Sequence, residues 1–143
     1  MKNIDTLLHA RWVVPVDNKN RSLDDHCIAI HEGKIIDILP SNDAGERYHA
    51  DVSRYYDNHA LIPGLINSHT HAAMNLFRGL ADDLSLMDWL ENHIWPAEAQ
   101  HVNEAFVHTG SELAMAEMIR SGTTCFNDMY FFPDITARVA AEV

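Results

Sequence analysis

Cysteine is scarce in this chain: two occur in 143 residues, Cys27 and Cys125, far apart and in no CxxC pair. That argues against a disulfide framework and a cysteine-built zinc site. It points instead to reduced thiols in a cytoplasmic protein. Basic residues are few as well. Ten Lys and Arg stand against 21 Asp and Glu, giving a net charge of -11 with histidine neutral. Nucleic-acid backbones and anionic membrane surfaces both select basic patches, so neither is an expected partner. The acidity serves solubility. No apolar run is long enough to span a bilayer. The start, Met1-Lys2-Asn3-Ile4-Asp5, has no apolar core of signal length before the polar stretch 17–22. Internal repeats and low-complexity segments are missing too. What remains is a chain of ordinary single-domain length with 47% hydrophobic residues, enough to bury a core.

The first 59 residues read as a small β module. Residues 11–16 are rich in Val and Trp, and the apolar runs 27–31 and 34–39 flank Glu32-Gly33, a hairpin signal. Residues 41–50 are polar, a loop or short helix, and 52–56 suit another short strand. From residue 60 the character changes. Residues 60–67 are apolar throughout, as expected of a strand covered on both faces. Residues 72–83 read as a loop. Residues 84–94 have helical spacing, with Leu86, Trp89, Leu90 and Ile94 on one face, until Pro96 interrupts. Residues 102–120 form the clearest helix, with Asn103 as candidate N-cap and Ser121-Gly122 as its stop. A strand over 123–126 and a helix over 134–143 follow. Strand, helix, strand, helix implies parallel βα units, and the closed form of that pattern is the eight-fold barrel, with its active site at the carboxyl ends of the strands. The predicted class is therefore α/β: a β module, residues 1–59, then the first strands of a (β/α)8 barrel, residues 60–143. A barrel takes roughly 250 residues, so this stretch is expected to be its truncated N-terminal part.

His69 and His71 end the apolar strand. Alternation along a strand turns both imidazoles to one face, where two neutral nitrogens suit a divalent metal. HxH alone is a weak signal, and two polar residues at a strand end is the plain alternative. A cupin-type site wants a glutamate a few residues on, and residues 72–79 contain no acid. A metallo-β-lactamase-type site wants Asp-His where Ala72-Ala73 stands. A cytidine-deaminase-type site wants HxE and PCxxC, and neither occurs.

The longer motif is more specific. Pro63-Gly64-Leu65-Ile66-Asn67-Ser68-His69-Thr70-His71 resembles the first-strand motif of the amidohydrolase superfamily. Arg78-Gly79-Leu80-Ala81-Asp82-Asp83-Leu84, Met87-Asp88-Trp89-Leu90 and Ile94-Trp95-Pro96-Ala97-Glu98 resemble the 5'-methylthioadenosine/S-adenosylhomocysteine deaminases within it. So does Glu117-Met118-Ile119-Arg120-Ser121-Gly122-Thr123-Thr124-Cys125-Phe126. Guanine, cytosine and triazine-ring hydrolases share the first motif.

The resemblance implies a leading β-sandwich module and one divalent metal, zinc by preference, held by His69 and His71. It makes Glu98 an acceptor for ribose hydroxyls. It implies a small nucleoside substrate deaminated by water. The other metal ligands and the proton-transfer residues fall beyond Val143, so no catalytic residue is expected within these 143. The isolated piece is expected to be inactive. A non-catalytic assembly piece is the alternative from another class, and a homo-oligomer is left open. Asp128, Trp89 and Trp95 read first as a loop acid or cap and as core aromatics. His93, His101 and His108 read as surface residues.

Overall fold

The β-rich N-terminal sequence is realised as a single four-stranded sheet. The computed structural model describes residues 1–143 and divides them into two units, Met1–Pro63 and Gly64–Val143. The sheet of the first unit comprises β1 (Lys2–Val13), β2 (Leu23–His31), β3 (Lys34–Pro40) and β4 (Tyr48–Leu61) in the order β3-β2-β1-β4. β1 is antiparallel to β2 and parallel to β4, pairing Leu7 with Ala29 on one side and Ser53 on the other. Ile4, Leu7, Cys27, Ala29 and Leu39 bury together under Ala44 of the short helix α1 (Ala44–Arg47). Burial raises the Cys27 thiol pKa to about 11, so it behaves as a small apolar residue. The β2–β3 turn places Glu32 and Gly33 at φ of 50° and 71°, the left-handed pair a two-residue hairpin favours. Asp5 fastens that turn by accepting the Glu32 N–H at 2.7 Å.

Several boundaries differ from the sequence reading. β1 begins nine residues before position 11, and β4 extends on both sides of 52–56. One sheet stands where a sandwich would have two. The strand expected over 60–67 is broken: Ala60 and Leu61 end β4, and β5 (Leu65–Thr70) begins after Pro63-Gly64. The unit boundary accordingly falls at Pro63/Gly64 and not at 59/60. Pro63 has no N–H for a ladder. A Cβ on Gly64 would lie 2.2 Å from Thr124 Oγ1, so only glycine fits that close approach. Ile66 is 73% exposed, so β5 is not covered on both faces within this chain.

The second unit holds β5 and β6 (Thr123–Asp128), paired in parallel, with helix α4 (Glu104–Ser121) in the connection between them. Asn103 caps α4 by accepting the Phe106 N–H at 3.0 Å. Gly122 closes it at φ 83°, the left-handed position that suits glycine. Residues 72–77, read as loop, coil into a 3-10 helix (Ala72–Phe77) that packs on α4. The approach is close: a Cβ on Gly110 would sit 2.5 Å from the Ala73 carbonyl oxygen. Pro96 does not end the next helical run. Helix α2 (Leu86–Trp89) widens into a π turn (Leu90–Ile94) and continues as α3 (Trp95–His101). The π turn absorbs the misfit of a proline near the start of α3. Helix α5 (Pro133–Glu142) completes the unit, packing Ile135 against Ala73 and Val107.

Candidate metal centre

β5 delivers His69 one residue before its end, and His71 follows immediately after it. Their ring centroids lie 5.1 Å apart with planes at 88°, short enough for both rings to reach one ion. The strand explains the convergence, since alternate residues share a face. His71 is fixed further. Its Nδ1 lies 2.5 Å from the Met129 carbonyl oxygen. A carbonyl only accepts, so Nδ1 carries the proton and Nε2 keeps a free lone pair. That is the usual arrangement of a metal-binding histidine.

The donor chemistry therefore fits a zinc-type cation, and the donor count is partial. No third His, Cys, Asp or Glu joins the pair in residues 1–143. Zinc sites take three or four protein ligands.

The end of β6 and the loop after it clamp the end of β5 at four points. Asn127 Nδ2 donates to the Ser68 carbonyl at 3.2 Å, and the Met129 N–H donates to the Thr70 carbonyl at 2.9 Å. The third is the His71–Met129 bond. In the fourth, the Ala72 N–H donates to Asp128 Oδ1 at 2.8 Å. Asp128, which the sequence suggests as a loop acid or cap, ends β6, and the residue that donates to it stands next to a candidate ligand.

Beside the pair lies a cavity of about 360 Å³ lined by His71, Met74, Trp89, Trp95, Glu98, Tyr130 and Phe131, among others. Glu98, on α3, is half-buried and shares this cavity with His71. Trp89 and Trp95 line it too and are not sealed in a core; Trp95 is exposed over about half its surface. No motif or spacing in the sequence singles out Tyr130. Its hydroxyl is buried and makes no hydrogen bond of good geometry. Burial raises its pKa, and the neighbouring Glu98 and Asp128 carboxylates push the same way. His101 and His108 are exposed and His93 is half-buried; none joins the centre.

The amidohydrolase family model matches residues 60–143, more than half of the chain and all of this site. The chain belongs to the amidohydrolase family. A 5-methylthioadenosine/S-adenosylhomocysteine deaminase of Saccharophagus degradans is 52% identical over 141 residues, covering 96% of this chain and 31% of that protein. A 5'-deoxyadenosine deaminase of Methanosarcina barkeri is 48% identical, covering 94% and 30%. A crystal structure of an adenosine deaminase from Xanthomonas campestris with bound zinc superposes with a TM-score of 0.93 at 45% identity. It is matched over 99% of this chain and 32% of its own length. The chain thus spans about a third of the relatives it matches. The fold class is α/β, the opening βα units of the amidohydrolase barrel. No helix is long and apolar enough to cross a membrane.

Proposed function

We propose that this chain supplies the opening third of a metal-dependent aminohydrolase acting on adenosine-type thioether nucleosides. Water replaces the C6 amino group, which leaves as ammonia, and the inosine form results. The observation that carries the reading is the His69–His71 pair, with the His71 tautomer set by Met129, opening beside a cavity that also holds Glu98. The names of the relatives at 52% and 48% identity support the substrate class. The bound zinc of the Xanthomonas enzyme supports zinc as the metal.

When bound, such a metal would lower the pKa of its water to about 7 and so supply a nucleophile at neutral pH. The chain's own residues do the rest of the local work. His69 and His71 hold the cation, and further strands of the full-length enzyme add ligands and the proton-transfer groups. Glu98 accepts hydrogen bonds from the ribose diol, which two carboxylate oxygens suit. Trp89, Trp95 and Phe131 wall the purine and thioether apolar surfaces and keep out water. A cytoplasmic setting belongs to the same proposal and rests on the two free thiols.

Ammonia release by the zinc-loaded full-length enzyme tests it. Turnover of methylthioadenosine, S-adenosylhomocysteine or 5'-deoxyadenosine well above that of guanine, cytosine and triazines is the expected result. Preference for a free base or a triazine refutes the substrate class.

A further inference from the structure

The clamp between the β5 and β6 loops has a second tier. Asp128 spends one oxygen on the Ala72 N–H, at 2.8 Å. Its other oxygen, Oδ2, accepts the Thr136 hydroxyl of α5 at 3.2 Å. Thr136 Oγ1 in turn lies 3.4 Å from Ser111 Oγ of α4. With its proton committed to Asp128, Thr136 accepts there and Ser111 donates. Ser111 and Thr136 are 0% and 5% exposed. Two buried hydroxyls therefore aim one carboxylate at the backbone immediately after His71. The next residue, Met129, presents the carbonyl that orients the His71 ring. Asp128 thus stands at the junction of both contacts. It fixes the peptide that follows the histidine and directly precedes Met129, whose carbonyl holds the histidine's ring.

We propose that Asp128 is a positioning residue for His71, anchored through Thr136 and Ser111 to helices α5 and α4. It touches neither ion nor substrate. Its effect is to keep His71 Nε2 aimed. The proposal rests on His71 being a metal ligand. What the position needs is one end that accepts from Ala72 and a second polar end bonded to Thr136, not charge at the ion. An asparagine keeps one acceptor for Ala72 and turns an NH₂ to Thr136, whose hydroxyl then accepts it and donates to Ser111.

The test measures zinc affinity of the full-length enzyme by competition with a chromophoric chelator, together with the ligand-field spectrum of the cobalt-substituted form. Outer partners of metal-bound histidines are worth about ten- to a hundredfold in affinity. Asp128→Ala is expected to weaken zinc about tenfold or more and to shift the cobalt spectrum. Asp128→Asn is expected to stay within about threefold of the parent. Thr136→Val, a milder change at the second tier, is expected to fall between them, and it decides the matter if the alanine variant does not fold. Affinity and spectrum unchanged in folded Asp128→Ala, or in Thr136→Val where that variant decides, overturn the proposal. Equal losses in the alanine and asparagine variants overturn it too. A parent enzyme that binds no zinc overturns the metal reading itself, a separate result.

Discussion

At the scale of single residues, the site depends on what each polar atom is left free to do. His71 has one nitrogen occupied by a carbonyl and one open. Glu98 faces the same cavity, half-buried, where a diol would lose its water. A hydrogen bond to a charged group is worth about 1.5–3 kcal/mol, which is tenfold or more in a binding constant. Glu98→Ala is therefore expected to raise KM for the ribonucleoside at least tenfold. It should leave KM for the 2',3'-dideoxy analogue nearly unchanged. Steady-state assays on the two substrates check this, and an equal loss on both would remove the ribose contact. The sequence picks out both histidines by their spacing and Glu98 by its resemblance to a family motif, and the structure sets His71 and Glu98 on one cavity. The roles of Asp128 and Tyr130 are not legible there, since they come from partners far along the chain. Ala72 lies 56 positions from Asp128.

At the scale of elements, local signals did best where local chemistry decides. Asn103 and Gly122 bound α4 as their side chain and backbone freedom require. The strand over 60–67 failed because its apolar run hides a backbone event. Pro63 breaks the ladder, and Thr124 leaves room only for Gly64. The 3-10 helix over 72–77 was invisible for a similar reason: α4 holds it in place. Part of that hold is polar. Arg78 donates to both oxygens of Glu117, at 2.8 and 2.6 Å, and Asn75 donates to Glu117 at 3.0 Å. The Arg78 guanidinium keeps the Glu117 carboxyl below its ordinary value of 4.5. A carboxyl depressed in the folded state contributes fully above its unfolded value and loses that contribution as pH falls through the folded one. Amide protection over residues 72–78, corrected for intrinsic exchange, is expected to drop as pH falls below 4.5. Glu117→Gln is expected to lower protection at pH 7 and to flatten that acid response. Hydrogen exchange followed by mass spectrometry reads both, and an unchanged acid profile in the variant would assign the hold to apolar packing alone.

At the scale of the whole molecule, the two units differ in how much they finish. The first buries Ile4, Leu7, Cys27 and Leu39 within one sheet. The second builds a two-stranded parallel sheet whose Leu65 and Ile66 are exposed, and it brings together two candidate metal donors where a zinc site takes three or four. In the proposed enzyme, His69 and His71 hold a zinc ion on which deamination depends. The direct measurement is zinc stoichiometry and ammonia release for the full-length enzyme and its His69→Ala and His71→Ala variants. One zinc per parent chain is expected, with metal and turnover both lost in each variant. Full zinc occupancy with undiminished ammonia release after either substitution would contradict the proposal.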